Sequence, residues 1–169
     1  MRKCVFLAFF ALLALVVRAQ DESGDLVKEG QQMPAFTIVN DNGTQVPSSS
    51  LKRKVILVNF FATWCPPCQK ELAEVQKMLW PKYKDNKDFV LLVIGREHTD
   101  VELQKYNEKK GFTFPLYPDK NRAIYGAFAK NLIPRSYLVD KTGKVVYATK
   151  GYSDEEFAEL MKKIEAALK

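Results

Sequence analysis

The chain has 169 residues, 47% hydrophobic and 27% charged, which suits one globular domain with a real core. Its formal charge of +6 overstates its basicity, because Arg2, Lys3 and Arg18 sit in an N-terminal leader and the remaining lysines are interleaved with Glu and Asp. That pattern describes a solvated surface and excludes a nucleic-acid patch; the single histidine, His98, leaves no second Cys/His pair for a zinc site.

Residues 1–19 read as a signal peptide. Arg2-Lys3 form a basic start, Val5 to Val17 an apolar stretch, and Val17-Arg18-Ala19 a cleavage tripeptide with an unusual arginine inside it. The alternative is a leader kept as an anchor, for which the apolar run is short. Cys4 precedes that run, whereas a lipidated cysteine would follow it. Residues 20–32 are polar and predict a flexible lead-in, with one domain over 33–169.

Pro34 to Val39 predicts a short strand, Asp41-Asn42-Gly43 a turn, and Thr44-Gln45-Val46 the returning arm of a hairpin. Pro47 to Leu51 reads as a capped turn. Lys54 to Ala62 is apolar on both faces, which predicts a central strand covered on both sides. The helix after Cys68 carries Leu72, Val75, Met78 and Leu79 at helical spacing, with Pro81 as its limit. Phe89 to Gly95 predicts a second buried strand. Thr99 with Glu102 marks a capping box, Val101 to Lys110 a helix, and Gly111 its stop.

Phe112 to Tyr117 reads as a short extended piece, and Asn121 to Lys130 as a helix with Ile124, Tyr125 and Phe128 inward. Leu132 to Asp140 is a strand entered through Pro134, Lys141 to Lys144 a hairpin turn, and Val145 to Thr149 the return strand. Ser153 with Glu156 marks another capping box. The final helix aligns Phe157, Leu160, Met161, Ile164 and Leu168 on one face. The order predicts an α/β fold, a central mixed sheet with helices on both faces and an N-terminal hairpin extension.

The chemistry concentrates in Trp64-Cys65-Pro66-Pro67-Cys68, at the junction of strand and helix. Cysteines three apart at a helix start can close a small disulfide ring. Pro66 and Pro67 fall where backbone N–H groups have no intrahelical partner, so losing two of them costs little. The surviving N–H of Cys68 can point at the sulfur of Cys65, and the positive helix end adds to it; both favour a thiolate at Cys65. Cys65 is therefore read as the nucleophile and Cys68 as the resolving thiol. A purely structural disulfide is the plain alternative, but such bridges usually close longer loops. Trp64 reads as a semi-exposed platform beside Cys65 and Trp80 as packing; His98 receives no role.

Pro34-Ala35-Phe36, the run Val55 to Trp64, Cys65-Pro66-Pro67-Cys68, Tyr125-Gly126 and Ile133-Pro134 before Tyr137-Leu138-Val139-Asp140 together resemble the thioredoxin superfamily. More narrowly they resemble the exported TlpA/ResA-like thiol-disulfide oxidoreductases, and also the broader AhpC/TSA-redoxin group. The resemblance runs from about Gly30 to the final helix. It implies a thioredoxin-like fold with Pro134 cis and facing the cysteine pair, so that Ile133 turns its backbone toward a partner's extended segment; read without the resemblance, Pro134 could equally be a trans proline opening an edge strand. Trp64, Pro66, Ile133 and Pro134 are the substrate-binding candidates. The resemblance also places a carboxylate, Glu71, near the buried thiol, where it could take a proton from Cys68 if burial raises its pKa; a surface helix glutamate is the competing reading.

Two residues depart from the thioredoxin pattern. Asn59 stands where thioredoxins proper carry a buried aspartate, which fits the TlpA/ResA branch. Arg135 follows Pro134 where threonine is common, either as a cation beside the docking groove or as a solvated residue without a role. The expected function is thiol-disulfide exchange with protein substrates in the periplasm or cell envelope, as a reductase fed by a membrane-linked electron donor. Reduction of apo-cytochrome c is among the activities the resemblance implies. No metal or organic cofactor is expected, the dithiol being the active group, and the protein is expected to be a monomer. The alternatives are a disulfide-donating oxidase, a thiol peroxidase on the same fold, and a binding module without turnover.

Overall fold

The structure, a computed structural model, describes residues 24–40 and 42–169. The leader over 1–19, residues 20–23 and Asp41 of the first turn lie outside the described residues, and no described helix is long and apolar enough to cross a membrane.

Strand β3 (Val55–Phe61) is buried at every position. It lies at the centre of a five-stranded sheet because its odd and even side chains are both apolar and must be covered on both faces. The other strands are β4 (Phe89–Arg96), β5 (Leu116–Asp119), β6 (Arg135–Val139) and β7 (Val145–Lys150), in the order β5-β4-β3-β6-β7. β3, β4 and β5 run parallel, while β6 and β7 are antiparallel to their neighbours. The strands β1 (Thr37–Val39) and β2 (Gln45–Pro47) form a separate antiparallel hairpin.

The period-2 alternation of β3 divides the core. Val55, Leu57 and Phe61 face the helices α1 (Pro66–Glu74), α3 (Asp100–Lys110) and α5 (Asp154–Leu168). Ile56, Val58 and Phe60 face the short helix α4 (Tyr125–Phe128), with Ile38 of the hairpin and Val27 of the N-terminal segment. Asn59 shares the parity of the α1 face and is 1% exposed there.

Several predicted bounds shift for identifiable reasons. The first helix does not stop at Pro81: it passes through a π-helical turn, Val75–Leu79, into α2 (Trp80–Tyr83). The π turn changes the hydrogen-bond register, so the N–H that Pro81 lacks falls in the first turn of the next segment. The helix expected over 121–130 shrinks to α4, because Arg122 adopts a left-handed φ of 56° and the Asp119 carboxylate takes the N–H groups of Ile124 and Tyr125 at 3.0 and 2.8 Å. The box at Thr99–Glu102 is reciprocal, and Gly111 ends α3 at φ 68°. Ser153 accepts from the Glu156 N–H, but no return contact from the Glu156 side chain closes that box.

The lead-in is not a free strand of chain from residue 24 onward. The N–H groups of Leu26 and Val27 bond to the Phe128 carbonyl at 3.0 and 3.2 Å, Gly30 bonds to Val145, and Val27 is buried. A flexible reading of 20–32 followed from polarity alone and missed Val27 as an anchor.

Gly95, near the end of β4, is required by a close approach. A Cβ there would meet Leu103 Cδ2 at 2.7 Å and His98 Cβ at 3.3 Å. Gly95→Ala is expected to destabilise the fold by about 1–3 kcal/mol through overpacking, read from urea unfolding. An unchanged midpoint would show that Leu103 moves aside freely.

Candidate active site

β3 delivers the chain into a short turn, and Cys65 becomes the N-cap of α1. Its Sγ accepts the N–H of Cys68 at 3.3 Å, and the two sulfurs are joined at 2.01 Å, with the Cα atoms 5.3 Å apart. Pro66 and Pro67 occupy the first turn, so among the described residues Cys68 N–H is the one backbone donor bonded to that sulfur. Cys68 is fully buried and Cys65 is 3% exposed.

The residues around Cys65 form a low rim. Trp64 is 62% exposed, Pro66 is exposed, and Leu132 is 58% exposed. The carbonyl oxygen of Ile133, half-buried, lies 3.9 Å from the Cys65 sulfur, and the Ile133–Pro134 bond is cis. The structure thus brings together Cys65, Cys68, Trp64, Pro66, Ile133 and Pro134. The Arg96 guanidinium lies 5.8 Å from the Trp64 ring centroid and 5.2 Å from that of Tyr125, positions that favour a cation over the ring faces. Trp80 packs partly buried against Phe114.

Glu71 is 3% exposed, on the same buried stripe of α1 as Cys68 and Leu72. The antiparallel register sets Asn59 opposite Ser136. The Asn59 amide donates to the Ser136 hydroxyl at 2.9 Å, and that hydroxyl donates to Glu71 Oε1 at 3.0 Å. Burial pushes the Glu71 carboxyl up to about 7; Asn59 and Ser136 pull it part of the way back, and Glu156 adds a smaller upward push. Glu71 Oε2 and Asn59 Oδ1 have no hydrogen-bond partner among the described residues. An ionised Glu71 leaves two orphan acceptors in the same buried cluster, whereas protonation turns one carboxyl oxygen into a donor. A cavity of about 10 Å³ beside Glu71, lined also by Gly151, Tyr152 and Ser153, is close to the size of one water.

Two residues depart from their sequence reading. Arg135 is neither solvated nor a cation in the groove: it is 1% exposed, paired with Asp25 of the N-terminal segment, and its Nε donates to the Asn131 carbonyl at 2.9 Å. His98 is not an idle loop residue: it is 7% exposed, and its Nε2 accepts the N–H of Thr63 at 3.0 Å. Ser136, Asp25 and Gln69, whose Nε2 donates to the Thr63 carbonyl at 2.9 Å, were not legible as site residues. For Ser136 the signal available was strand register. A cavity of about 560 Å³, lined by Lys52, Arg53, Lys54 and Asp140, lies at the other end of the sheet from the cysteines.

The described residues hold no cluster of three or more His, Cys, Asp or Glu suited to a metal ion. What the geometry can do is exchange a disulfide: a sulfur at a helix start with a trace of exposure, a fully buried one beside it, and a carboxyl poised near neutrality.

A family model for redoxins matches residues 28–167. The chain is 34% identical to the thiol-disulfide oxidoreductase ResA of Bacillus anthracis over 136 residues, covering 80% of this chain and 78% of that protein. It is 26% identical to ResA of Bacillus subtilis strain 168, covering 76% and 71%. Among solved structures, a Bacteroides thetaiotaomicron protein described as a candidate protein disulfide isomerase superposes with a TM-score of 0.82 at 38% identity, over 86% of this chain and 92% of that one. A thiol:disulfide interchange protein of Chlorobium tepidum, of the thioredoxin family, gives 0.69 at 26% identity, over 85% and 99%.

Proposed function

The chain belongs to the redoxin family as a thiol-disulfide oxidoreductase of the ResA type, and on that basis we propose that it reduces protein disulfides in the bacterial cell envelope, reached through the leader at 1–19. The observation that carries the exchange reading is the Cys65–Cys68 pair at the start of α1; the reducing direction is the ResA-like reading. Pro66 and Pro67 remove two N–H donors from the helix start, and Cys68 N–H at 3.3 Å remains. A strongly oxidising pair is one whose reduced form is stabilised, so the potential decides the direction.

In the reduced protein the Cys65 thiolate attacks one sulfur of a partner's disulfide, and the other partner sulfur leaves as a thiolate. Glu71, on the same buried stripe of α1, takes the Cys68 proton. The Cys68 sulfur then attacks Cys65 Sγ, and the partner departs with both its sulfurs reduced. Two electrons pass to the partner, and the Cys65–Cys68 disulfide seen in the structure is the product. Trp64, Pro66, Ile133 and Pro134 receive the partner's extended segment. The dithiol needs no cofactor, and a membrane-linked donor resets it. Apo-cytochrome c, with its cysteine pair in the disulfide form, is within the substrate class.

Equilibration against glutathione tests the direction: a potential well below about −200 mV is expected, and one near about −120 mV would make the protein an oxidant. Glu71→Gln tests the proton step. Resolution of a mixed disulfide is expected to slow by about 10²-fold above pH 7 and to lose its inflection near neutrality; an unaltered profile removes Glu71 from the mechanism. The same variant should be more stable than wild type in alkali. Because the folded carboxyl titrates near 7 and the unfolded one near 4.5, stability is full below the lower value and falls as pH rises through the upper. The gain from Gln should therefore reach about 3 kcal/mol at pH 8 and vanish near pH 4.

A further inference from the structure

We propose that His98 is a positioning residue of the exchange reaction: its uncharged imidazole holds the turn that presents Cys65. The inference rests on Cys65 as the nucleophile.

The parallel register sets Phe61 opposite Gly95, so the chain leaving β3 and the chain leaving β4 run side by side. Glu97, at a left-handed φ of 65°, reverses the second of them, and the His98 N–H returns to the Gly95 carbonyl at 3.1 Å. The absent Cβ of Gly95 leaves room for the His98 side chain. The ring sits 6.5 Å, centroid to centroid, from Phe61, and Nε2 accepts Thr63 N–H at 3.0 Å. On its other side the Thr63 carbonyl accepts from Gln69 Nε2 at 2.9 Å. Both ends of the residue two before Cys65 are thus fixed by side chains and not by a sheet or helix ladder.

A backbone N–H can only donate, so Nε2 must offer a lone pair and the ring proton sits on Nδ1. A second proton on Nε2 would set two donors against each other. The charged groups acting on the ring are Glu102 of α3, 3.9 Å from Nδ1, with Arg96 at the end of β4 and Glu97 just after it. Burial outweighs the two carboxylates and holds the imidazole below its usual 6.5, so it is neutral at neutral pH. A lowered histidine value means stability that is complete above 6.5 and lost as pH falls toward the folded-state value. The hold on Thr63 weakens with it.

The test is iodoacetamide alkylation of the reduced protein from pH 5 to 8, with the modified cysteine identified by mass spectrometry. His98→Phe keeps a ring but no acceptor, and Cys65 alkylation at pH 7.5 is expected to fall roughly fivefold to tenfold, the equivalent of one hydrogen bond. His98→Gln can reach Thr63 with an amide oxygen and does not titrate; it is expected within twofold of wild type at pH 7.5 and faster than wild type below pH 6. Wild type and His98→Gln superimposing at every pH would overturn the inference, as would an unchanged rate in folded His98→Phe. If His98→Phe fails to fold by circular dichroism, the Gln comparison decides alone. Wild-type alkylation at Cys68 instead of Cys65 would overturn the nucleophile assignment, and this inference with it; reaction at Cys65 with both variants unchanged would overturn this inference alone.

Discussion

Cys65→Ser will abolish protein-disulfide reduction, and Cys68→Ala will abolish turnover while accumulating a covalent adduct with the substrate. The two variants fail differently because the sulfurs occupy different places. Cys68 is fully buried on the inner side of α1, while Cys65, at 3% exposure, lies with its sulfur 3.9 Å from the Ile133 carbonyl, next in sequence to the exposed Trp64. A visiting disulfide can reach only the first. Serine cannot form the mixed disulfide at all, so the loss at Cys65 is complete and not a matter of rate. Alanine at position 68 leaves the attack intact and removes the resolving step. A partner should then remain attached through Cys65, visible as a mass increase that dithiothreitol reverses. Insulin reduction and intact-protein mass spectrometry read both outcomes. An adduct forming on Cys65→Ala, through Cys68, would reverse the assigned roles. An inert wild type that still binds its partner would replace exchange with a binding function.

The CxxC pair was legible because everything that defines it is local: an apolar strand, two cysteines three apart, two prolines and a helix. The capping residues Thr99 and Ser153, and the burial of β3, were legible for the same reason. The rest of the site is made by contacts the chain order conceals. His98 meets Thr63 across 35 residues, Glu71 meets Ser136 across 65, and Asp25 meets Arg135 across 110. In each case the residue type allows several environments, and only the assembled fold selects one. Asn59 shows the limit most plainly. Its departure from aspartate could be read from the sequence, but its hydrogen bond to Ser136 depends on β3 and β6 pairing at that position. Arg135 was misread because arginine after a docking-loop proline suggests solvent, whereas β6 is buried along its full length.

Asp25→Ala is expected to cost about 3–5 kcal/mol of stability, although Asp25 lies in a stretch that sequence reads as a flexible lead-in. The size of the effect follows from its partner. Arg135 is 1% exposed, with the Tyr137 hydroxyl 3.4 Å from its guanidinium and Asn131 on its Nε. Asp25 supplies the balancing charge and also reaches Lys150 Nζ at 3.1 Å. Removing the carboxylate leaves a guanidinium that cannot lose its proton and cannot reach water, which is the expensive way to break a buried pair. The damage should spread, since Arg135 lies between Pro134 of the docking rim and Ser136 of the Glu71 network. Urea unfolding measures the loss, and a melting temperature lower by roughly 10 °C should accompany it. Arg135→Met on the Asp25→Ala background separates charge from packing. With the charge gone, most of the stability should return. Losses that simply add in the double variant would mean that the N-terminal segment docks through Val27 and its backbone bonds, with the ion pair contributing little.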